Sequence, residues 1–473
     1  MDHRRMVAEL ERIEGVLGSA HMEDQAMDMA VERLGENASA KDMARAAEFA
    51  VFSLRAEVLR HLRGLPSFRE FSKMLATSDL LADFCRIRQV DGIIKWSSKS
   101  TLDRASKFFD VGEWQSLCKT LTEVVGNGDS CELAGLSEAV DVSVVLGDST
   151  CLEANIHFPV DWVLLKDVAL TLIRSIRLVR SEGLLNRMES GPSELAREMN
   201  RLCIAMTHSA RRKDGRKKRK AVFRQMKKHL RRVQRHAFRH CELLHTRWEQ
   251  TRWSHKQARR IIERMEDRIA LVPRVIEQAH ERIIGGRKVL SKDKILSAHE
   301  RDLQTLVRRK AGKEVEFGNT LFIAESPCGY ILDCQLYREA PAGEIPKMID
   351  SLRRQQALDL ESPITDFVGD RGFDGAKALQ ELQSHGIESQ ICPRDPHLLR
   401  QRMGQERFRQ LQKRRAGTEA RIAIFKNHGA GRVCRAKGFD NRERTVACGV
   451  LSHNLLWIAR RSLQDMSQHA EAA

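Results

Sequence analysis

The segment FVGDRGFDG carries an acidic residue, Asp370, just after the end of a predicted strand, 364–368. A second strand-like run, VSVVLGDST, has Asp148 at its end, and Glu419 lies in the helical pattern of FRQLQKRRAGTEARIAIFK. Carboxylates at strand ends and on a late helix can converge when helices pack on one face of a sheet. The pattern therefore constrains this region to an α/β core in which three acidic side chains meet.

Three carboxylates that meet in this way suit hard divalent cations. Mg²⁺ takes oxygen ligands, keeps several waters, and is usually held by one or two carboxylates together with substrate phosphate. A pair of such ions about 4 Å apart activates the attacking oxygen and stabilises the leaving oxygen of an in-line displacement at phosphorus. Taken singly, each acid also fits a turn, a helix N-cap or a surface ion pair. Together, Asp148, Asp370 and Glu419 are our candidate catalytic residues and ligands of two Mg²⁺ ions, with Mn²⁺ as a substitute.

The last acid stands in a specific register. Arg415, Glu419 and Lys426 fit the signature Tyr-x2-Arg-x3-Glu-x6-Lys of many DDE transposases of bacterial insertion sequences, whereas Gln412 occupies the tyrosine position. The chain resembles this family over most of 141–461, including the segments DSTCLEANIHFPVD, EVEFGNTLFIAES, GDRGFD and SHNLLWIARR. The resemblance implies an RNase H-like catalytic core. It also implies that Arg415 and Lys426 bind the phosphates of transposon ends.

Arg371 directly follows the second acid in the sequence. A guanidinium at this position is a candidate DNA contact, because arginine binds phosphate oxygens readily. The alternative is an ion pair with a neighbouring carboxylate.

Charge is consistent with a nucleic-acid partner. The 473 residues include 81 Lys plus Arg against 64 Asp plus Glu, a net charge of +17, which is expected of proteins that bind phosphate backbones. Residues 211–240 hold 15 Lys or Arg and one Asp. An apolar stripe at steps of three or four predicts a long amphipathic helix there: Val222, Met226, Leu230, Val233, Ala237, Cys241 and Leu244.

The basic helix would neutralise DNA phosphates without reading sequence, and the alternative is a solvated helix face. The candidate DNA contacts on it are Lys217, Lys218, Arg219, Lys220, Lys227, Lys228 and Arg231.

Residues 1–140 read as mostly helical. Helix-start residues Ser67, Ser78 and Ser100 mark three short helices within 66–110. This arrangement fits a helix-turn-helix, whose last helix presents its N-terminal residues to DNA bases. The candidate contacts are Lys99, Thr101 and Arg104. The alternative is a three-helix unit with a purely structural role.

These observations predict an α/β RNase H-like catalytic core that is interrupted by a large helical insertion and preceded by an all-α N-terminal domain. The predicted bounds are an N-terminal DNA-binding domain (1–140), the first part of the core (141–158), a basic helical insertion (159–313), the second part of the core (314–461) and a tail (462–473).

Other classes of protein are disfavoured. Eleven cysteines include no C-x2-C pair, so we expect neither a zinc ribbon nor a thioredoxin-like site. The N-terminus lacks a basic region followed by an apolar core, and no apolar run approaches the roughly 18 residues needed to span a bilayer. We expect a reduced protein of the bacterial cytoplasm, associated with the nucleoid and not with a membrane.

The resemblance implies a transposase that binds the terminal inverted repeats of its mobile element, cuts there and joins the freed 3′-hydroxyls to target DNA. Its partners would be double-stranded DNA, as transposon ends and as target, and a second copy of the chain in a homodimer on DNA. Two alternatives remain open at this stage. One is an RNase H-like nuclease that cuts without joining, and the other is a catalytically inactive, transposase-derived DNA-binding protein.

Overall fold

The computed structural model describes residues 3–35, 37–90, 93–209, 214–310, 313–431 and 433–472. The chain divides into two compact units: unit 1 comprises Met1–Asn155 with Gly318–Ala473, and unit 2 comprises Ile156–Phe317. The insertion predicted at 159–313 lies inside unit 2 and differs from it by a few residues at each end. The boundary predicted at residue 140 does not separate two units.

The elements are named in chain order. The first are α1 (His3–Ser19), α2 (Met22–Glu32), α3 (Ala40–Leu62), α4 (Phe68–Ala76), α5 (Asp79–Phe84), β1 (Gln89–Val90), β2 (Ile93–Ile94), α6 (Lys99–Ala105) and α7 (Val111–Gly126). Next come β3 (Val144–Glu153), α8 (Asp161–Ser181), α9 (Pro192–Ser209), α10 (Gly215–Arg247), α11 (His255–His280) and β4 (Gln304–Lys310). The last are β5 (Lys313–Glu325), β6 (Ile331–Tyr337), α12 (Ile345–Gln356), β7 (Asp366–Gly369), α13 (Ala376–Ser384), β8 (Glu388–Ile391), α14 (Pro396–Met403), α15 (Glu406–Arg415), α16 (Thr418–Phe425) and α17 (Phe439–Ala472).

Side-chain capping sets the starts of the short N-terminal helices. Ser67 and Glu70 form a reciprocal capping box at the start of α4, which satisfies amide groups that the first helical turn leaves unpaired. The third short helix was predicted to begin at Ser100, but α6 begins at Lys99, because Ser98 Oγ accepts the Thr101 N–H at 3.1 Å. The β1–β2 ladder lies between α5 and α6.

The N-terminal helices share one core with the sheet of unit 1. Leu54 on α3, Phe71 on α4 and Leu121 on α7 belong to the same buried cluster as Val145 on β3 and Phe367 on β7. A separate all-α domain was expected for 1–140 because its helical pattern differs from the strand pattern that follows. The correction is that these helices bury their apolar faces against the α/β part. One shared core buries more apolar surface than two smaller cores would, and is therefore more stable.

A mixed sheet with helices packed on it forms the centre of unit 1, which confirms the expected α/β character. Within unit 1 the strand order is β5-β3-β7-β8, with β6 also paired to β5. The central strand, β3, is antiparallel to β5 and parallel to β7. Its apolar residues alternate between two faces: Val145 joins the main core, whereas Leu146 packs with Val368 and with Leu411 of α15.

Unit 2 is a helical unit in which α8, α9, α10 and α11 pack around their own apolar cluster. The predicted stripe on α10 is confirmed, since all seven of its residues are buried. β4 was not predicted, because its sequence QTLVRRK carries too many polar residues to give a strand signal. Among the described residues, no helix combines the length and apolarity needed to cross a bilayer.

Candidate active site

Asp148 lies in the middle of β3, not at its end as the sequence suggested. The antiparallel pairing with β5 continues through Asp148, which is opposite Ile323, as far as Glu153, and this pairing extends the strand beyond the acid. The parallel pairing with β7, in contrast, ends at Leu146 opposite Val368. Asp148 therefore lies just beyond the last residue pair of β3 and β7. At this position its carboxylate can approach the residues that come directly after β7.

Asp370 is the first residue after β7, as the sequence predicted. Its Oδ1 accepts the Gly372 N–H at 2.7 Å, which fixes the carboxylate in a tight turn. A Cβ added to Gly372 would lie 2.8 Å from Asp370 Oδ1 and 3.1 Å from Glu344 Cγ. A larger residue at this position would therefore have to displace the side chain of Asp370 or that of Glu344.

Glu344, at the N-terminal end of α12, is an acid of this site that sequence reasoning missed. Its Oε2 accepts the Ser149 hydroxyl at 2.5 Å, and its Oε1 accepts Lys347 Nζ at 2.9 Å. An acidic residue before a helix is common as a cap or as a partner of the helix dipole. The sequence signal of Glu344 is therefore the same as that of an ordinary capping residue.

The electrostatics of Asp148 show which charges surround it. The pKa of Asp148 is raised to about 6: burial is the largest cause, the carboxylates of Asp370 and Glu344 also raise it, and the Ser149 N–H and the Arg415 guanidinium oppose the rise. Close like charges disfavour ionisation of a carboxyl group. Asp148, Asp370 and Glu344 thus form an acidic cluster with one arginine beside it, and a carboxyl group with a raised pKa, such as that of Asp148, is typical of functional sites.

Arg415 is held in place by Gln412, one turn earlier on α15. Arg415 Nε donates to Gln412 Oε1 at 3.2 Å. The amide group of Gln412 donates in turn to the Gln390 carbonyl at 2.7 Å and to the Gly369 carbonyl at 3.3 Å. The residue that departs from the family signature therefore connects Arg415 to the ends of β7 and β8.

Lys426 reaches the same face of the sheet as Asp148. Its Nζ donates to Thr150 Oγ1 at 3.4 Å, and Thr150 is two residues beyond Asp148 on β3, so both side chains project from one face. The structure thus brings Asp148, Asp370 and Arg415 together and places Lys426 on the same face of β3 as Asp148.

Glu419 is not brought into this cluster. The single helix predicted around it is divided: α15 ends at Arg415 and α16 begins at Thr418, with Gly417 as its N-cap. Glu419 lies in the first turn of α16 with its side chain exposed, and in the described part of the chain no hydrogen bond or ion pair involves its carboxylate. Its helix does contact β3, and Ile422, one turn later, is buried there with Leu152.

Across the described residues, no three His, Cys, Asp or Glu side chains stand together as a metal site. The oxygen donors that fit a divalent cation best are the carboxylates of Asp148 and Asp370, because Mg²⁺ prefers carboxylate oxygen and their mutual repulsion would be relieved by a cation. Glu344 is occupied by Ser149 and Lys347.

Arg371 does not take part in these contacts. Its side chain is exposed, and its carbonyl accepts Arg394 Nε at 2.9 Å. The backbone N–H of Arg394 donates to the nearby acid Asp374 at 2.7 Å. Arg371 is therefore accessible to a ligand, but no hydrogen bond or ion pair among the described residues fixes the direction of its guanidinium.

Two further acids near the sheet have structural partners. Asp366 is buried and paired with Arg407, whose Nη2 lies 2.5 Å from Asp366 Oδ2. Asp333 accepts two hydrogen bonds from Arg354, at 2.9 and 2.7 Å. Sequence could not separate these acids from Asp148, because only tertiary contacts show which carboxylates already have a cation.

A cationic surface runs along α10 in unit 2. At 100° per residue, Lys217, Lys228 and Arg231 fall on the side opposite the buried stripe, and all three are exposed. Two exposed arginines that the sequence analysis did not single out, Arg224 and Arg235, share that side. Within the described part of the chain, none of these five cations has an ion-pair partner, so their charge is available to an anionic ligand.

Other predicted contacts on this helix lie at its flank. Lys218, Lys220 and Lys227 are partly exposed, and Arg219 stacks over the Trp162 ring with 5.8 Å between its guanidinium carbon and the ring centroid. The Arg219 side chain therefore packs against Trp162 within unit 2, which leaves its guanidinium less accessible to a phosphate than an exposed side chain would be. Arg211, at the start of the basic window, lies outside the described residues.

In the N-terminal region, Lys99 and Arg104 on α6 are exposed. Thr101 is partly buried, and its hydroxyl contacts Ser98 Oγ at 3.0 Å. Lys99 and Arg104 are thus accessible to a ligand, whereas Thr101 takes part in the helix cap.

Comparison of the chain with family models, with curated proteins and with solved structures gave no match. The assignment of a function therefore depends on the residues and on their geometry.

Proposed function

We propose that the protein is a DDE-type transposase that cleaves DNA at the ends of its mobile element and transfers the freed strands to target DNA. The observation that carries this proposal is that Asp148 and Asp370 lie close together, just beyond the point where the pairing of β3 and β7 ends. Arg415 lies beside them. An RNase H-like core is supported by the sheet order β6-β5-β3-β7-β8, antiparallel through β3 and parallel beyond it.

Each group near the two acids has a distinct task in this proposal. Asp148 and Asp370 would hold divalent metal, which when bound activates the attacking oxygen and stabilises the leaving oxygen at phosphorus. Arg415 and Lys426 would bind the phosphates of the scissile strand, because guanidinium and ammonium groups form strong hydrogen bonds with phosphate oxygens. Ser149 and Lys347 would keep Glu344 in place beside the acids, through the hydrogen bonds that they donate to it.

Glu419 would complete the site when DNA is bound. Support comes from its position one turn before Ile422, on a helix that already contacts β3. Catalytic contacts are often long in a ligand-free protein and tighten only in the complex with substrate. This part of the proposal requires the first turn of α16 to move so that Glu419 faces Asp148 and Asp370.

DNA would be held by positive charge outside the acidic cluster. Lys217, Lys228 and Arg231 supply exposed positive charge on unit 2, and Lys99 and Arg104 supply it on unit 1. Contacts of this kind position a duplex through its phosphates and make the affinity sensitive to salt. The proposed partners are transposon ends, target DNA and a second copy of the chain.

A second candidate function is DNA binding without catalysis. The observation that favours it is the exposed, uncontacted carboxylate of Glu419, together with the lack of a three-ligand metal group among the described residues. In that case Asp148 and Asp370 would be remnants and the cationic surfaces would carry the function.

One assay separates these functions from each other and from a nuclease that does not join DNA. The substrate is a labelled duplex that carries the inverted repeats flanking the gene, incubated with Mg²⁺ and a target plasmid. Cleaved and joined products are expected. Cleavage without joining would identify a nuclease, and binding without cleavage in either Mg²⁺ or Mn²⁺ would leave the non-catalytic function.

A further inference from the structure

Gln412 lies at the junction of three elements of unit 1. Through Oε1 it accepts a hydrogen bond from Arg415 Nε at 3.2 Å, and through Nε2 it donates to the carbonyls of Gln390 and Gly369 at 2.7 and 3.3 Å. Gly369 is the last residue of β7 and immediately precedes Asp370. One side chain thus connects the arginine on α15 to the strand end that carries the second acid.

The helix around Gln412 is fixed independently of that side chain. Leu411 packs against Val144, Leu146 and Val368 on the sheet, and Phe408 is almost fully buried. The backbone of α15 is therefore anchored by apolar contacts. What the Gln412 amide adds is control over the direction of the Arg415 guanidinium, since a long side chain loses several rotamers when a hydrogen bond fixes it.

Fixing Arg415 matters because of what it faces. Its charge acts on Asp148, which also lies close to Asp370 and Glu344. An arginine that is free to turn would pair with one of these carboxylates, whereas an arginine held by its Nε keeps its two terminal amino groups available to a phosphate.

We propose that Gln412 is a positioning residue that holds Arg415 ready for a DNA phosphate next to Asp148 and Asp370. It acts through Arg415 and does not itself touch DNA. The inference rests on the proposed function and deepens it by giving a task to the residue that departs from the family signature. It predicts that the effect of removing the amide depends on the presence of Arg415.

A double-mutant cycle tests this dependence. The full-length chain is compared with Gln412→Met, Arg415→Ala and the double variant, and the readouts are affinity for the end duplex and its cleavage rate. Gln412→Met keeps the side-chain length and removes its hydrogen bonds. The expected loss is about tenfold, as for one hydrogen bond to a charged group, and no further loss is expected once Arg415 is alanine.

The matched control is Gln410→Met on the same helix. Gln410 is exposed, and in the part of the chain that the structure describes its amide donates only to Glu406, at 2.7 Å, so less than a twofold change is expected. If Gln412→Met does not fold, Gln412→Asn replaces it, because this shorter amide stays polar but cannot reach Arg415 and both carbonyls together. The same dependence on Arg415 is expected.

Equal losses in the presence and absence of Arg415 would overturn the inference, since a structural role of Gln412 is independent of that arginine. The affinity readout keeps this outcome distinct from failure of the proposed function. If the wild-type chain binds the end duplex but never cleaves it, the proposed function fails, and the coupling measured in affinity alone decides whether Gln412 positions Arg415.

Discussion

Arg421 and Glu325 form a two-point ion pair, with Nε–Oε2 and Nη2–Oε1 distances of 2.8 and 2.6 Å. The side chain of Glu325 is only 3% exposed and that of Arg421 is 18% exposed. The pair ties α16 to the end of β5, and so it sets where Glu419 stands relative to the sheet.

Arg421→Met should lower the free energy of unfolding by about 3 kcal/mol, because it leaves a buried carboxylate without its partner. Urea denaturation would measure this loss. The control is Arg409→Met, which removes an exposed partner of Glu406 within α15 and should cost less than about 1 kcal/mol. Equal effects of the two substitutions would show that the Arg421 pair does not anchor α16.

Gly449→Ala should also destabilise the fold. A Cβ at this position of α17 would lie 2.4 Å from the Gly429 carbonyl oxygen, a backbone atom that cannot rotate away. We expect a loss of about 1–3 kcal/mol from overpacking, measured by thermal or urea unfolding. Gly15→Ala in α1 is the matched control, because nothing lies within 4 Å of its added Cβ, and it should stabilise the protein by about 0.5–1 kcal/mol. A loss at both positions would contradict this explanation.

The stability of the protein should depend on pH through Asp148. Its folded-state pKa of about 6 lies above the ordinary value of 3.8, so the native state binds the proton more tightly and loses stability as pH rises between these values. Asp148→Asn should therefore be more stable than wild type near neutral pH by about 2 kcal/mol, after allowance for partial exposure. The difference should vanish at pH values well below 3.8, the ordinary pKa of aspartate. Urea denaturation of both proteins, near neutral pH and at the low pH, would measure this difference in the free energy of unfolding. An equal difference at both pH values would contradict a raised pKa of Asp148 in the folded protein.

Mg²⁺ should stabilise the wild-type protein through the two acids. Binding to the native state alone adds about 2.7 kcal/mol when the free ion is a hundredfold above its Kd. Asp370→Asn should remove most of this gain, whereas Asp374→Asn should keep it, because Asp374 accepts the Arg394 N–H. Thermal unfolding with and without Mg²⁺ measures the gain without requiring activity. Stabilisation that survives Asp370→Asn would place the cation elsewhere.

The cationic side of α10 should dominate the salt dependence of DNA binding. Changing Lys217, Lys228 and Arg231 to Gln should reduce the slope of log affinity against log salt by about 0.9 for each phosphate that is no longer neutralised. The matched control changes three exposed arginines of unit 2 that are already paired with glutamates: Arg201, Arg252 and Arg259. Equal slopes for the two triple variants would show that these α10 side chains do not contact DNA phosphates.

Local sequence patterns predicted the parts of the fold that depend on local physics. The seven-residue apolar stripe of α10 is buried, because burial follows helical periodicity. Asp370 follows its strand as expected, since glycines such as Gly369 and Gly372 mark the turn at which a strand ends. The mixed α/β character of unit 1 was predictable from the same alternation of strand and helix patterns.

Tertiary contacts decided the parts that sequence did not predict. Asp148 lies inside β3 because β5 pairs with the strand beyond the acid, and that partner is distant in sequence. In the sequence, Glu344 resembles an ordinary residue at the start of a helix. Only the packing of α12 shows that it lies near Asp370. The task of Gln412 depends on carbonyl groups of two separate strands. The separation of Glu419 from Arg415 had one local signal, the intervening Gly417.

The most direct test of the central claim compares DNA cleavage and strand transfer by the wild-type chain, Asp370→Asn and Asp374→Asn. The substrate is a labelled duplex that carries the element's own end, with Mg²⁺ present. Nicked and joined products from the wild type and from Asp374→Asn, with none from Asp370→Asn despite unchanged DNA binding, are the predicted result. Cleavage by Asp370→Asn at the wild-type rate would contradict the assignment of the Asp148 and Asp370 pair as the catalytic centre.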